Sequence, residues 1–176
     1  MEPVIESLLC GRQSILLRKG GILESDNQFE LEHNQFLLFP TFIHQDPDSV
    51  KPAYRGGITQ LRAEPEKITL TAWARVARIF EVPGRASMDR LDDLHIWNEK
   101  FLAMRFNYRP EKPLYLVLLQ TFKLPAPIVI PNTLGYAGCK SWVPLQQAVP
   151  ITESISLVPN SALQAIAQTI EHAFNS

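Results

Sequence analysis

The chain has 176 residues, 45% of them hydrophobic and 20% charged, the make-up of an ordinary soluble globule long enough for one domain and small for two. Seventeen basic against eighteen acidic side chains leave a formal net charge of -1, which excludes a histone-like polybasic binder and an acidic disordered tail but not a local basic patch. At this length roughly 70% of the unfolded chain's surface is buried on folding, so neither a metal nor a disulfide is needed.

Residues 3 to 11 predict a short opening helix: Pro3 suits the first turn, Val4, Ile5, Leu8 and Leu9 share a face, and Gly11 can take the left-handed stop. The leading Met1-Glu2-Pro3-Val4-Ile5-Glu6 carries acids where a signal peptide needs Lys or Arg. Ser14 to Arg18 reads as a strand ending at the turn Lys19-Gly20-Gly21, and Phe29 to Glu32 as a second. Gln35 to Thr41 reads as a buried strand closed by Pro40. Asp46 to Glu66, with three prolines and a Gly56-Gly57 pair, is mostly loop, and its length of about twenty residues points to function or mobility.

From Lys67 the alternation is clean, with Ile68, Leu70, Ala72, Ala74 and Val76 on one face and Thr69, Thr71, Trp73 and Arg75 on the other. The phase slips at Ala77-Arg78 before Ile79 to Val82 continue, which predicts a bulge or strong bend. Ser87 to Trp97 fits a helix capped by Ser87, with Leu91 and Leu94 inward. Leu114 to Lys123 is apolar on both faces and reads as a central strand, after which Pro125, Pro127 and Pro131 force an extended path. Its longest purely apolar run, Leu114 to Leu119, is six residues against the roughly 20 of a membrane helix. Gly135 to Leu145 reads as a turn into a short strand. Ser161 and Gln164 form a capping box before Leu163, Ile166, Ala167, Ile170 and Phe174, which recur at helical spacing.

Residues 1 to 110 hold 29 of the 35 charged side chains and residues 111 to 176 only six, so the last third is expected to supply core. With no linker, composition break or repeat, the expectation is a single α+β domain over residues 1–176. Its sheet is mixed or antiparallel, or closed into a small β-barrel, with flanking helices. A soluble, cytoplasmic protein with no membrane partner follows. Cys10 and Cys139 cannot make a four-thiolate zinc site and read as buried thiols.

No G-x-S-x-G elbow, P-loop, G-x-G-x-x-G or H-E-x-x-H occurs, and no acid has a lysine two residues on. The four histidines lack standard ligand spacing, so no metal and no cofactor is assigned. Four clusters remain. Arg18-Lys19-Gly20-Gly21 puts two cations beside glycines whose N–H groups are open to an anion, against a plain hairpin turn with solvated charges. Glu32 and His33, with Thr41 and His44, supply a carboxylate, two imidazoles and a hydroxyl for acid–base or metal chemistry, against satisfied structural histidines. Arg105-Phe106-Asn107-Tyr108-Arg109 interleaves arginines with aromatics, as suits bases and phosphates, against a helix C-terminus with arginines offsetting its dipole. Cys139 beside Lys140 is a candidate activated thiol, against a buried cysteine with Trp142 as a packing residue.

Gly11-Arg12-Gln13 leading into Leu16-Leu17-Arg18-Lys19-Gly20-Gly21-Ile22 is one of three motifs that belong together. The others are His33-x-x-Phe36-Leu37-Leu38-Phe39-Pro40-Thr41 with His44, and Tyr136-x-Gly138-Cys139-x-Ser141-Trp142-Val143. Over nearly its whole length the chain resembles the bacterial, largely cyanobacterial family called domain of unknown function 1802. That family has no established activity, so no catalytic residue carries over. The association of some members with restriction-type nuclease domains implies a nucleic-acid or defence setting. The order of elements is also similar to the small barrels of the PUA and ASCH group, which bind RNA or modified bases in a cleft, an analogy of fold alone.

Three functions follow as expectations. The first is a module binding nucleic acid or a nucleotide-like ligand through Arg18, Lys19, Gly20, Gly21, Arg105, Tyr108 and Arg109. The second is a phosphodiester or nucleotide hydrolase using Glu32, His33 and His44. The third is a protein-interaction scaffold.

Overall fold

The computed structural model describes residues 2–19, 22–25, 28–31, 33–40, 46–56, 58, 63–136 and 142–176. Its framework is a ribbon of two long antiparallel strands, β5 (Lys67–Glu81) and β6 (Tyr115–Pro131). Along the first half of β5, exposed Lys67 and Thr69 alternate with buried Ile68 and Leu70, as the sequence pattern requires. Leu116 to Leu119 of β6 are at most 1% exposed, so this strand is covered on both faces and lies at the centre. Beside it runs β1 (Ile15–Arg18), and β7 (Ile155–Ser156) also pairs with β6. On the far side β4 (Gln35–Leu37) pairs with β5, while β2 (Ile22–Ser25) and β3 (Gln28–Leu31) form a separate hairpin. The protein is α+β, and its five-stranded antiparallel sheet, in the order β1-β6-β5-β4 with β7 added to β6, is open rather than closed into a barrel.

The phase slip at Ala77 is a bulge: Val76 pairs with Leu119 and Arg78 with Leu118, leaving Ala77 as the extra residue. A second irregularity lies on β6, where Leu70 pairs with Ile128 but Ala72 with Lys123. Leu124-Pro125-Ala126-Pro127 therefore oppose Thr71 alone. Proline has no N–H to give a ladder, so the two prolines occupy the stretch where the ladder is interrupted. The strand consequently runs on to Pro131 instead of ending at Lys123.

Four helices flank the sheet. In α1 (Glu2–Leu9) the residues Val4, Ile5 and Leu8 are buried, and Gly11 at φ 68° ends the turn that follows. The final helix α4 (Asn160–Asn175) buries Leu163, Ala167, Ile170 and Ala173, the spacing expected of one face. The Ser161–Gln164 capping box does not form. The helix starts two residues earlier with Pro159 as its cap, whose carbonyl accepts from the Leu163 N–H, and the Asn160 side chain accepts from Gln120.

The helix expected from Ser87 to Trp97 is broken into α2 (Arg85–Asp89) and a 3-10 turn over Asp92–Leu94. Long-range bonds hold the chain open there: Lys51 Nζ donates to the carbonyls of Asp92 and His95, and the Ile96 N–H donates to Gln13. After it comes α3 (Glu99–Asn107), capped by Asn98, whose side chain accepts from the Phe101 N–H. The segment from Asp46 to Tyr54, within the expected loop, is two 3-10 turns pinned to this region by a Val50–Trp97 bridge and Lys51–Asp92 and Lys100–Asp46 ion pairs. Gln35–Leu37 is a short, partly exposed edge strand, not the buried strand through Thr41 that the hydrophobic run suggested; only Leu38, just beyond it, is fully covered. No strand occupies Trp142 to Leu145.

The main apolar core joins α1, β1, the middle of β5 and β6, α2 and α4. A second cluster of Ile68, Leu70, Trp73, Leu124, Ile130 and Tyr136 fills the far end of the ribbon. Gln13 ties β1 to the segment before α3, since its 2% exposed side chain donates to the Ile15 carbonyl and accepts from the Ile96 N–H. Gln13→Ala leaves both backbone groups buried without partners, and thermal or urea unfolding is expected to show a loss of about 2 kcal/mol. A change below about 0.5 kcal/mol, the size of an ordinary surface substitution, would show that this tie is dispensable.

Candidate functional site

The end of β1 meets the end of α3. Lys19 Nζ donates to the carbonyls of Phe106 (2.9 Å) and Arg109 (3.1 Å), and Arg105 Nη2 donates to the carbonyl of Leu17 (3.3 Å). The first and third sequence clusters, separated by more than eighty residues, thus form one surface. Lys19 commits two of its three donors to helix-end carbonyls, a dipole-compensating position for a cation.

Register places Arg18 and Phe36 on the same face of the sheet. Arg18 pairs with Tyr115, while Phe36 pairs with Ala74, which pairs with Thr121. Tyr115 and Thr121 share a face because β6 is regular between them. Trp142 lies against that face: Arg18 sits over its ring at 4.7 Å, the Phe36 ring meets its edge at 5.2 Å, and His33 at 5.3 Å. Local sequence assigns Trp142 a packing role and Phe36 a place in a strand. The structure makes Trp142 the hub between three of the four clusters. The one sequence signal for this was that each partner stood in a family-like motif.

The electrostatics are one-sided. Burial lowers the Arg18 pKa from its ordinary value, and the neighbouring Arg105 lowers it further. Burial likewise lowers that of Arg105, opposed by Tyr108. Among the described residues no carboxylate pairs with either, and the buried Nε of Arg105 and Nε1 of Trp142 have no hydrogen-bond partner. At the rim, Tyr108 is 47% exposed and Arg109, at φ 48°, lays its guanidinium over the Tyr108 ring at 5.2 Å.

Of the remaining candidates, Gly20, Gly21, Glu32, Thr41, His44 and Cys139 lie outside the described residues. His33 is exposed on the Trp142 edge. Among the described residues no group of three or more His, Cys, Asp or Glu could hold a metal ion, and no helix is long and apolar enough to cross a membrane. Cys10, expected to be buried, is exposed after the end of α1, where the chain turns towards β1. On the opposite face of the ribbon, sequence reading missed a second aromatic–cation group. Trp73 stacks on Phe122 at 4.1 Å, and Arg75 lies 5.6 Å from that ring while donating to the buried Gln120. Gln120 passes its own donors to Ser156 and Asn160, which ties β7 and α4 to the sheet, while the buried Nε1 of Trp73 has no hydrogen-bond partner among the described residues.

No curated protein and no solved structure matches the chain significantly. Residues 1–169 match the family model of a domain of unknown function, DUF1802, and that span contains Arg18, His33, Phe36, Arg105 and Trp142; the chain belongs to this family.

Proposed function

We propose that this chain is a binding module that recognises nucleic acid or a nucleotide-like ligand at the junction of β1 and α3. The observation that carries the reading is a pair of half-buried guanidiniums at one junction, Arg18 at the end of β1 and Arg105 on the adjacent Leu17 carbonyl, with no carboxylate partner among the described residues. Bringing like charges together out of water costs folding free energy, and such an arrangement is favoured at functional sites where an anion supplies the missing charge. Guanidinium forks match phosphate oxygens in geometry, and Arg18 is already oriented by Trp142. Tyr108 with Arg109 supplies a flat, exposed rim of the kind on which bases stack. Lys19 acts by holding the two elements together.

The double variant Arg18→Ala/Arg105→Ala tests this. Each phosphate contact contributes a slope of about 0.9 on duplex DNA, or about 0.7 on single strands, to the fall of log affinity with log salt. Loss of two contacts is therefore expected to weaken binding and flatten that slope by roughly 1.4 on single strands to 1.8 on duplex DNA. Unchanged affinity and slope, in a variant whose thermal unfolding shows it folded, would remove these arginines from the interface.

A further inference from the structure

We infer that the Arg18–Arg105 site takes a terminal phosphate, the phosphomonoester of a nucleotide or of a nucleic-acid end, in preference to the internal phosphodiesters of a strand. The inference rests on the binding reading above and narrows it.

Its first support is the number of available cations. Two of the three donors of Lys19 are consumed by the Phe106 and Arg109 carbonyls, and Arg109 lies over Tyr108. Among the described residues of the junction Arg18 and Arg105 remain, two charges gathered at the end of β1 instead of a row. A duplex presents one charge per roughly 1.7 Å of its axis and is gripped by cations spread along a surface. A phosphomonoester carries about -1.5 to -2 at neutral pH on three free oxygens, where a diester has a single charge. Two guanidiniums match the first in charge and in oxygens to be held.

The second support is the setting. Arg18 is backed by Trp142, whose ring Phe36 meets in turn, so its charge sits against an aromatic wall. Part of each guanidinium is already committed: Arg18 by its ring contact, Arg105 by the Leu17 carbonyl, while the buried Arg105 Nε has no partner. Fixed forks in a partly dry corner suit a compact anion that enters end-on.

The test uses single-stranded DNA of about 12 nucleotides, within the usual site size of single-strand binders. It is supplied with a 5′-phosphate, a 3′-phosphate or hydroxyls at both ends, and compared by anisotropy. Calorimetric titrations with AMP and with adenosine run alongside. A phosphorylated end is expected to bind at least about tenfold more tightly than the hydroxyl form, the scale of one added charge-assisted contact. Should AMP bind while adenosine does not, at an affinity equal to the phosphorylated strand, the source is a free nucleotide. Tighter binding of the strand assigns a chain end; either result supports the inference. Arg18→Lys with Arg105→Lys keeps both charges but removes both forks, and is expected to reduce the preference to about twofold or less. Equal binding of all three strands overturns the terminal-phosphate inference and leaves the broader reading standing. Failure of every strand and of AMP to bind overturns both.

Discussion

Between pH 7 and pH 4 the protein is expected to lose about 3 kcal/mol of folding stability through His95 alone. This imidazole is 2% exposed, tilted against Trp97 at a ring separation of 5.4 Å, and neither ring nitrogen makes a hydrogen bond of ordinary geometry. Burial lowers its pKa from 6.5 to about 4; nearby Lys51 adds to the effect, and Asp92 with the backbone at Trp97 and Met88 opposes it. The folded state therefore resists the proton that the unfolded chain accepts. The contribution is fully present above pH 6.5, falls by about 1.4 kcal/mol per unit as the pH drops through that value, and levels off below the folded pKa. Asp46 is held below its ordinary 3.8 by Lys100, Ser49 and the Asp48 N–H, and its contribution is lost only under that value, outside this window. Urea unfolding of the wild type and of His95→Phe at pH 7 and pH 4.5 isolates the effect. The wild type should lose about 2 kcal/mol more than the variant over that interval, and parallel losses would show that His95 is not buried neutral.

A second large effect is expected at the centre of the sheet. Leu118 is 1% exposed, pairs with Ile15 of β1 on one side and Arg78 of β5 on the other, and belongs to the core shared with α1 and α4. Truncation to alanine removes its packing contacts and leaves a cavity, because strands paired on both sides cannot collapse into the space. Leu118→Ala should cost about 3 to 4 kcal/mol, within the span of buried Leu→Ala changes. An equivalent truncation at Leu134, which is 94% exposed, is expected to change stability by less than about 0.5 kcal/mol. Similar losses at the two positions would contradict the placement of β6 as the central strand.

Local periodicity carried much of this architecture. The alternation from Lys67, its slip at Ala77, the two-sided apolar run of β6 and the stripe of α4 each translate into the observed element, because a sheet or helix face repeats with a fixed period. What was illegible depended on distant partners. Nothing local stops the helix after Asp89; Lys51 and Gln13, 41 and 83 residues from the groups they bind, hold the following segment open. The Ser161 box was overridden because Asn160 is drawn to Gln120, 40 residues away. The β6 prolines looked like an end because the bulge that accommodates them exists only once β5 is in register. The same holds for the site. Its residue types could be seen in four separate motifs, but that Arg18 and His33 meet at Trp142, and that Arg105 reaches the Leu17 carbonyl, are properties of strand register and of the β1–α3 junction.

The central claim is that this junction binds phosphate-bearing, nucleotide-like chemistry. Anisotropy against labelled single- and double-stranded RNA and DNA, at roughly 50 and 200 mM salt where counterion release is plain, tests it most directly. Micromolar or tighter binding to at least one of the four, weakening with salt, is the expected result. Absence of binding to all four at the lower salt, and to AMP alongside them, would contradict it, and Arg18 and Arg105 would then be cations that serve the fold alone.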